Sequence, residues 1–403
     1  MEEKLTRKKT IIGGIVLAVF PILSQYPLSI MSYGFVLLLI YFMLRFLGGN
    51  GQLWFNKPML YFIVYSLVQQ FIVYQVSDTF QKNLNTYLFM LICLFMLASV
   101  NKIEKEDFLK AYIIVGLICC IVVIYQFVMG NVLGVPQSAI QILPVSAENQ
   151  HYWMENKTRA SGFFTEPQAF SSYILPLLVY MIYNRKFKTA IFISISIFAS
   201  TSSQGIILAF IVWMVYLYTH DRDIAKKVLL TLFVIVGLIF ILVILRNNGI
   251  FSFAIDKILS INAFTYDIRL TKGFDIYSAM PIMDKIFGIG FGNLTEYLLH
   301  GNFDFFWLRL TQEQLVGYIT TMANTLVSFG IGGFIFYIGI FKGNMKTSSE
   351  PAKLILLLTF ISSFTQTILF NAWFVLYWMI FELFDIIDDS RYTTLSLGIG
   401  KRS

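Results

Sequence analysis

The chain has 403 residues, of which 57% are hydrophobic and 13% charged, and a mean hydropathy of +0.71. A soluble domain needs about a quarter of its residues charged to cover its surface, so this composition excludes one. Apolar runs long enough for a hydrocarbon core of about 30 Å recur along the chain, which predicts an all-α polytopic membrane protein rather than a β-barrel of short alternating segments.

In chain order, spans are predicted near 11–28, 32–47, 58–76, 84–100, 110–129, 167–184, 188–201, 204–219, 227–246, 318–341, 352–369 and 371–387, about twelve transmembrane helices. The first, "TIIGGIVLAVF" behind the basic "MEEKLTRKK", has no small-x-small cleavage site after it and reads as an uncleaved span. The seventh and eighth spans are short, as are the last two, and each pair fits either two crossings or a hairpin that enters the bilayer partway. Cys93, Cys119 and Cys120 fall inside spans and read as packing residues, not as a disulfide framework or a metal site. Gln69, Gln70, Gln126, Gln366 and Asn371 are scattered and form no polar stripe; they are expected to satisfy neighbouring helices.

Two longer segments remain outside the spans, 130–166 and 247–317. The expected organisation is one integral membrane domain, 1–403, with these two external loops. With the N-terminus inside, 21 of the 30 Lys and Arg residues fall on short cytoplasmic connections. The positive-inside bias therefore puts both termini in the cytoplasm. It also accounts for the net charge of +7 without invoking nucleic acid.

The first external loop ends in "TRASGFFTEPQAFSSYILP", 158–176. Glu166 before Pro167 fits a helix start, where a carboxylate faces the positive end of the dipole. Arg159 stands ahead of that helix on the side opposite to the positive-inside preference, and Gly162 lets the backbone fold back so that both side chains can address one cavity. The second loop holds "YDIRLTKGFDIYSAMPIMDKIFGIGFGN", 266–293. A helix over 266–280, ending before Pro281, puts Arg269, Lys272, Gly273 and Ile276 on one face. These cations either pair with Asp267 and Asp275 on a solvated helix or, together with Arg159, serve one anion. "GIGFG", 288–292, is expected as a flexible turn and lacks the spacing and the preceding strand of a dinucleotide fingerprint.

These segments resemble signatures of the bacterial O-antigen polymerase and ligase superfamily. "TRASGFFTEPQAFSSYILP" looks like its R-x-x-G-x-F-x-E-P segment, "ASTSSQGII" its serine-rich turn, and "IRLTKGFDIYSAMPIMDKIFGIGFGN" its arginine, proline and glycine-turn signature. "TTMANTLVSFGIGGFIFYIGI" is similar to the span after the large loop. The resemblance covers roughly residues 155–341. It implies a polymerase of oligosaccharide repeat units linked to polyprenyl pyrophosphate, working at the outer face of the bacterial cytoplasmic membrane with no cofactor and no metal. A flippase and a chain-length regulator are the implied protein partners.

The same resemblance makes Arg159, Glu166 and Arg269 the catalytic candidates, with Glu166 either the base or the group that orients Arg159. Lys272, Arg309, Gly288, Gly290, Gly292 and Asn324 become substrate-binding candidates. Two positions depart from the family pattern: Ala323 stands before Asn324 where ligases often carry histidine, and Gln204 stands where a basic residue is common. The general base is left open among Glu166, His151 and His300. The alternatives are a ligase of finished glycan and a lipid-linked oligosaccharide flippase. A flippase should show two related halves and charges buried in its spans, whereas here the charges gather in the external loops.

Overall fold

The computed structural model of the chain describes residues 2–28, 31–48, 52–76, 84–99, 105–135, 137–145, 150, 153, 159–220, 268–301, 303–305, 319–346, 348–385 and 392–396. They are mostly helical, with few strands. Chain order gives α1 (Glu2–Leu23), β1 (Pro27–Leu28), β2 (Met31–Ser32), α2 (Tyr33–Gly48), β3 (Gln52–Asn56), α3 (Lys57–Val76), α4 (Leu84–Ser99) and α5 (Lys105–Phe127). There follow α6 (Pro167–Tyr183), α7 (Phe187–Ala199), α8 (Ser203–His220), α9 (Ile268–Ala279), α10 (Ile282–Phe287), α11 (Leu294–His300), α12 (Thr321–Met345), α13 (Glu350–Thr365), α14 (Ala372–Phe384) and β4 (Tyr392–Ser396).

Helices occupy every apolar segment expected to span except 227–246, which lies outside the described residues. Among the described residues, three helical segments are long and apolar enough to cross a membrane, Lys105–Val132, Ser203–His220 and Thr321–Met345, and shorter apolar helices accompany them. The first continues α5 through a π turn, Val128–Val132. Helix starts follow local chemistry. Pro167 opens α6 behind an extended Glu166. The Asn371 side chain accepts from Trp373 N and Phe374 N to cap α14. The strands were not expected. β3 and β4 pair antiparallel with Gln52 opposite Ser396 and Asn56 opposite Tyr392, and β1 pairs with β2.

The chain divides into two compact units. The first comprises Met1–Phe35 and Glu104–Ala263. In it α5 packs on α1, α6 and α7, and α6 packs on α7 and α8. From Phe170 to Val179 every residue of α6 is buried, so this helix has no polar face and depends on neighbours all round. Two tyrosines satisfy their hydroxyls while tying three helices together: Tyr112 OH donates to Tyr173 O, and Tyr173 OH donates to Ala18 O at 2.9 Å.

The second unit comprises Val36–Ile103 and Phe264–Ser403. Its centre is α12, which packs on α3, α9, α10 and α13, while α14 packs on α13 and α4. Asn56 and Asn344 exchange side-chain hydrogen bonds at 2.8 and 3.1 Å, fixing β3 to the far end of α12. The break between α13 and α14 is met by Thr321, whose Oγ1 donates to Gln366 O at 2.8 Å and accepts from Ile368 N at 2.6 Å.

α12 is itself broken at Gly330 (φ 66°), and the glycine turn after α10 seats on that break. A Cβ on Gly288 (φ 79°) would lie 2.4 Å from Ser328 O and 2.5 Å from Gly330 N. Alanine at 288 therefore meets backbone that cannot turn aside, in a positive-φ extended conformation (ψ 167°) open essentially only to glycine, which itself costs about 1–3 kcal/mol. Gly339, farther along α12, has nothing within 4 Å of its Cβ position. Gly288→Ala should lower the unfolding midpoint of the detergent-solubilised protein, and Gly339→Ala should hold or raise it, since alanine gains about 1 kcal/mol in a helix. Equal midpoints for the two variants would mean that the turn does not rest on α12.

Candidate functional site

In the first unit the candidate site begins with a turn that one amide side chain holds in place. Gln126, at the end of α5, accepts at its Oε1 from Ser161 N (3.1 Å) and Gly162 N (2.7 Å), and its Nε2 donates to Ser138 O (2.9 Å). Ile140 N donates to Gly162 O at 2.8 Å, so both strands of the loop are laid against the helix end. Gly162 has φ 67° and a Cβ there would meet Val123 at 3.1 Å, so the reversal at this residue favours glycine. On the α1 side, Gln25 Oε1 accepts from both the backbone N (2.6 Å) and Oγ1 (2.7 Å) of Thr165.

The reversal delivers Arg159 to the serine-rich turn between α7 and α8. Its Nη2 donates to Thr201 O at 3.2 Å and its Nε to Thr201 Oγ1 at 3.4 Å. Thr201 adopts φ 57°, rare for a β-branched residue, and this conformation turns its carbonyl toward the guanidinium. The turn is braced by its serines: Ser200 Oγ donates to Ile197 O at 2.7 Å, and Gly205 N donates to Ser202 Oγ at 3.2 Å. Beside it, Gln168 Nε2 donates to Gln204 Oε1 at 2.7 Å.

Arg159 is half-buried. Burial pulls its pKa down, and the charge of Glu166 opposes that shift. Glu166 occupies the N-cap position of α6 as a helix-start reading expects, yet its side chain makes no capping hydrogen bond. The carboxylate is exposed and acts electrostatically on Arg159. This is a fork held by a backbone carbonyl, with a solvent-facing carboxylate next to it. Such a pair can bind an anion and accept a proton close by.

The candidates of the second loop belong to the second unit. α9 begins at Ile268, and Lys272, Gly273 and Ile276 are buried on one face as the spacing predicts. Gly273 lets α9 approach the start of α12, since a Cβ there would overlap that of Ala323. Arg269 lies one turn ahead of Lys272 in the same helix. Arg309 and His151 lie outside the described residues. His300 faces Glu296 of its own helix at 3.2 Å.

The glycine turn expected to be flexible is held. Ile289 N donates to Val327 O at 3.1 Å and Gly290 N to Ser328 O at 2.9 Å, while Gly288 N closes α10 on Asp284 O at 2.8 Å. Gly288, Gly290 and Gly292 all have positive φ, and Gly288 and Gly290 lay backbone on the backbone of α12. Asn324 is half-buried, and its Oδ1 accepts from Ser328 Oγ at 2.7 Å. The sequence does not single out Thr201 or Gln168, and it marks Gln126 only as a polar residue satisfying neighbouring helices; the run "STSS" signals the turn without marking the carbonyl. Compared with known proteins, the chain matches no family model and no curated protein.

Burial lowers the pKa of Lys272 from the ordinary 10.5 to about 8. In the unfolded chain the amine stays protonated to about 10.4, so between these values the unfolded state binds more protons and stability rises with pH. The cost of burying the cation is present in full below pH 8 and fades above it. Lys272→Met should abolish that component, so that the unfolding midpoint of the wild type rises relative to that of the variant between pH 8 and pH 10. Parallel curves for the two proteins would place Lys272 in water.

Proposed function

We propose that the protein is a metal-independent glycosyltransferase that polymerises oligosaccharide repeat units carried on polyprenyl pyrophosphate, at the outer face of a bacterial cytoplasmic membrane. The observation that carries this reading is the Arg159–Thr201–Glu166 arrangement: a guanidinium oriented by a fixed carbonyl, partly shielded from water, beside an exposed carboxylate. In the transfer a hydroxyl of the acceptor glycan attacks the anomeric carbon of the donor. A C–O bond forms, the bond to pyrophosphate breaks, and the hydroxyl proton passes to a base.

Arg159 stabilises the charge that accumulates on the leaving pyrophosphate, for which the planar fork of arginine is suited. Glu166 takes the proton or holds Arg159 in place. The same reading assigns Arg269, Lys272 and Arg309 to phosphate, and Asn324 with the glycines of 288–292 to the walls that receive substrate.

A twelve-span topology with both termini cytoplasmic completes the proposal, and contacts within each unit support it. β3 and β4 pair with each other, and the basic-residue bias puts both on the cytoplasmic side. Tyr26 OH accepts from Ile142 N at 2.6 Å and Gln25 holds Thr165, which suits a common external side for the end of α1 and the loop 130–166.

The test is the lipid-linked glycan pool of strains carrying Arg159→Ala or Glu166→Gln. Neither change puts a charge into the bilayer or removes a packed apolar side chain, so both proteins should be expressed and inserted. Polymer should disappear while single lipid-linked repeat units accumulate at the outer face. Units trapped on the cytoplasmic side would instead indicate a flippase, and long lipid-linked chains without a final acceptor would indicate a ligase. Normal polymer in the Glu166→Gln strain would return Glu166 to a helix-start role alone.

A further inference from the structure

α10 has two faces of opposite character. Its polar residues are engaged by protein: Asp284 Oδ2 accepts from Tyr297 OH at 2.8 Å, and Lys285 Nζ donates to Ser278 O at 2.7 Å. Its apolar residues are not covered. Ile282 is 69% and Met283 61% exposed, Ile286 and Phe287 are also exposed, and Phe274 of α9 joins them. In water this helix would leave four large apolar side chains largely uncovered.

The level of α10 against α12 says what covers it. The helix runs directly into Gly288, whose backbone lies against Gly330 N. Gly330 stands nine residues after Thr321, the first residue of α12, and at 1.5 Å per residue this is about 14 Å along the helix. α12 is one of the helices long and apolar enough to cross a membrane, so the contact falls well inside a hydrocarbon core of about 30 Å. Around the contact the surface is already apolar and exposed, with Ile331 and Ile335 on α12 and Val68, Phe71 and Ile72 on α3. α3 joins the same contact through Gln69 Nε2, which donates to Ser328 O at 3.1 Å.

We infer that residues 281–293 form a re-entrant membrane element, which dips below the lipid headgroups to seat on the α12 break and whose Ile282, Met283, Ile286 and Phe287 face bilayer hydrocarbon. The start of the turn meets the condition such an element must satisfy. Non-helical chain at membrane depth needs its polar groups paired with protein, and Gly288, Ile289 and Gly290 each donate to a carbonyl of α10 or α12. Asp284 and Lys285 lie on the opposite face of α10, half-buried, and each has a protein partner, the Lys285 contact with Ser278 O lying at the surface.

This inference rests on the membrane reading of the chain and is independent of the glycan chemistry. Its test is nitroxide accessibility on the full chain in lipid bilayers, with Met283→Cys or Phe287→Cys labelled in a background lacking the three native cysteines. Ile335→Cys on the exposed face of α12 serves as the lipid reference and Glu350→Cys, at the start of α13, as the water reference. Positions 283 and 287 should show the high oxygen and low aqueous nickel-chelate collision rates of 335. Nickel collisions at 283 and 287 like those at 350, with 335 still lipid-facing, would overturn the inference and leave the membrane reading intact. Low rates with both reagents would overturn it in favour of a protein cover, and aqueous access at 335 would remove the membrane reading itself.

Discussion

A peptide group released by a helix break inside an apolar chain must find its partner within the protein, and this constraint organises both units. In the first unit it is met by two glutamines, Gln126 and Gln25, whose carbonyls collect the free N–H groups of Ser161, Gly162 and Thr165. In the second it is met by Thr321 at the α13–α14 break and by the carbonyls of Val327 and Ser328 under the glycine turn. Side chains that look like isolated polar residues within apolar sequence are the groups that make irregular backbone affordable there.

The candidate site follows from that pairing. Because Gln126 pins the turn at Gly162, Arg159 is carried to the serine-rich turn and Glu166 is left at the start of α6 with its carboxylate in solvent. Partial burial raises the strength of any contact the guanidinium makes, and the nearby carboxylate keeps the cation favoured. Thr201 accounts for two of the donor contacts of Arg159 and sets the direction of the fork. The proposed transfer asks for such a group, a cation held in advance where negative charge will appear.

Much of the helical layout is legible in the sequence, because the length of an apolar run and the Pro or Gly at its end are local properties. Pro167 and Gly330 illustrate this from opposite directions: the first opens α6 where expected, while the second breaks a helix that hydropathy reads as continuous. β3 and β4 were invisible because their pairing joins segments more than three hundred residues apart. The face shared by Lys272, Gly273 and Ile276 could be read from helical spacing, but the depth of its burial comes from α12. Thr201 acts partly through its main-chain carbonyl, which no side-chain identity encodes. "GIGFG" reads as a mobile turn until Val327 and Ser328 are seen to hold it.

The central claim is that the Arg159 fork binds pyrophosphate. The direct measurement is the affinity of the purified protein for a short-chain isoprenyl pyrophosphate, compared among wild type, Arg159→Lys and Arg159→Ala. Losing one charge-assisted contact of about 1.5–3 kcal/mol lowers affinity on the order of ten- to a hundredfold. Lysine keeps the charge but not the planar fork that Thr201 orients, so both variants should weaken binding by similar factors. Wild-type affinity in Arg159→Ala would remove Arg159 from the phosphate site, and wild-type affinity in Arg159→Lys would reduce its role to that of a point charge.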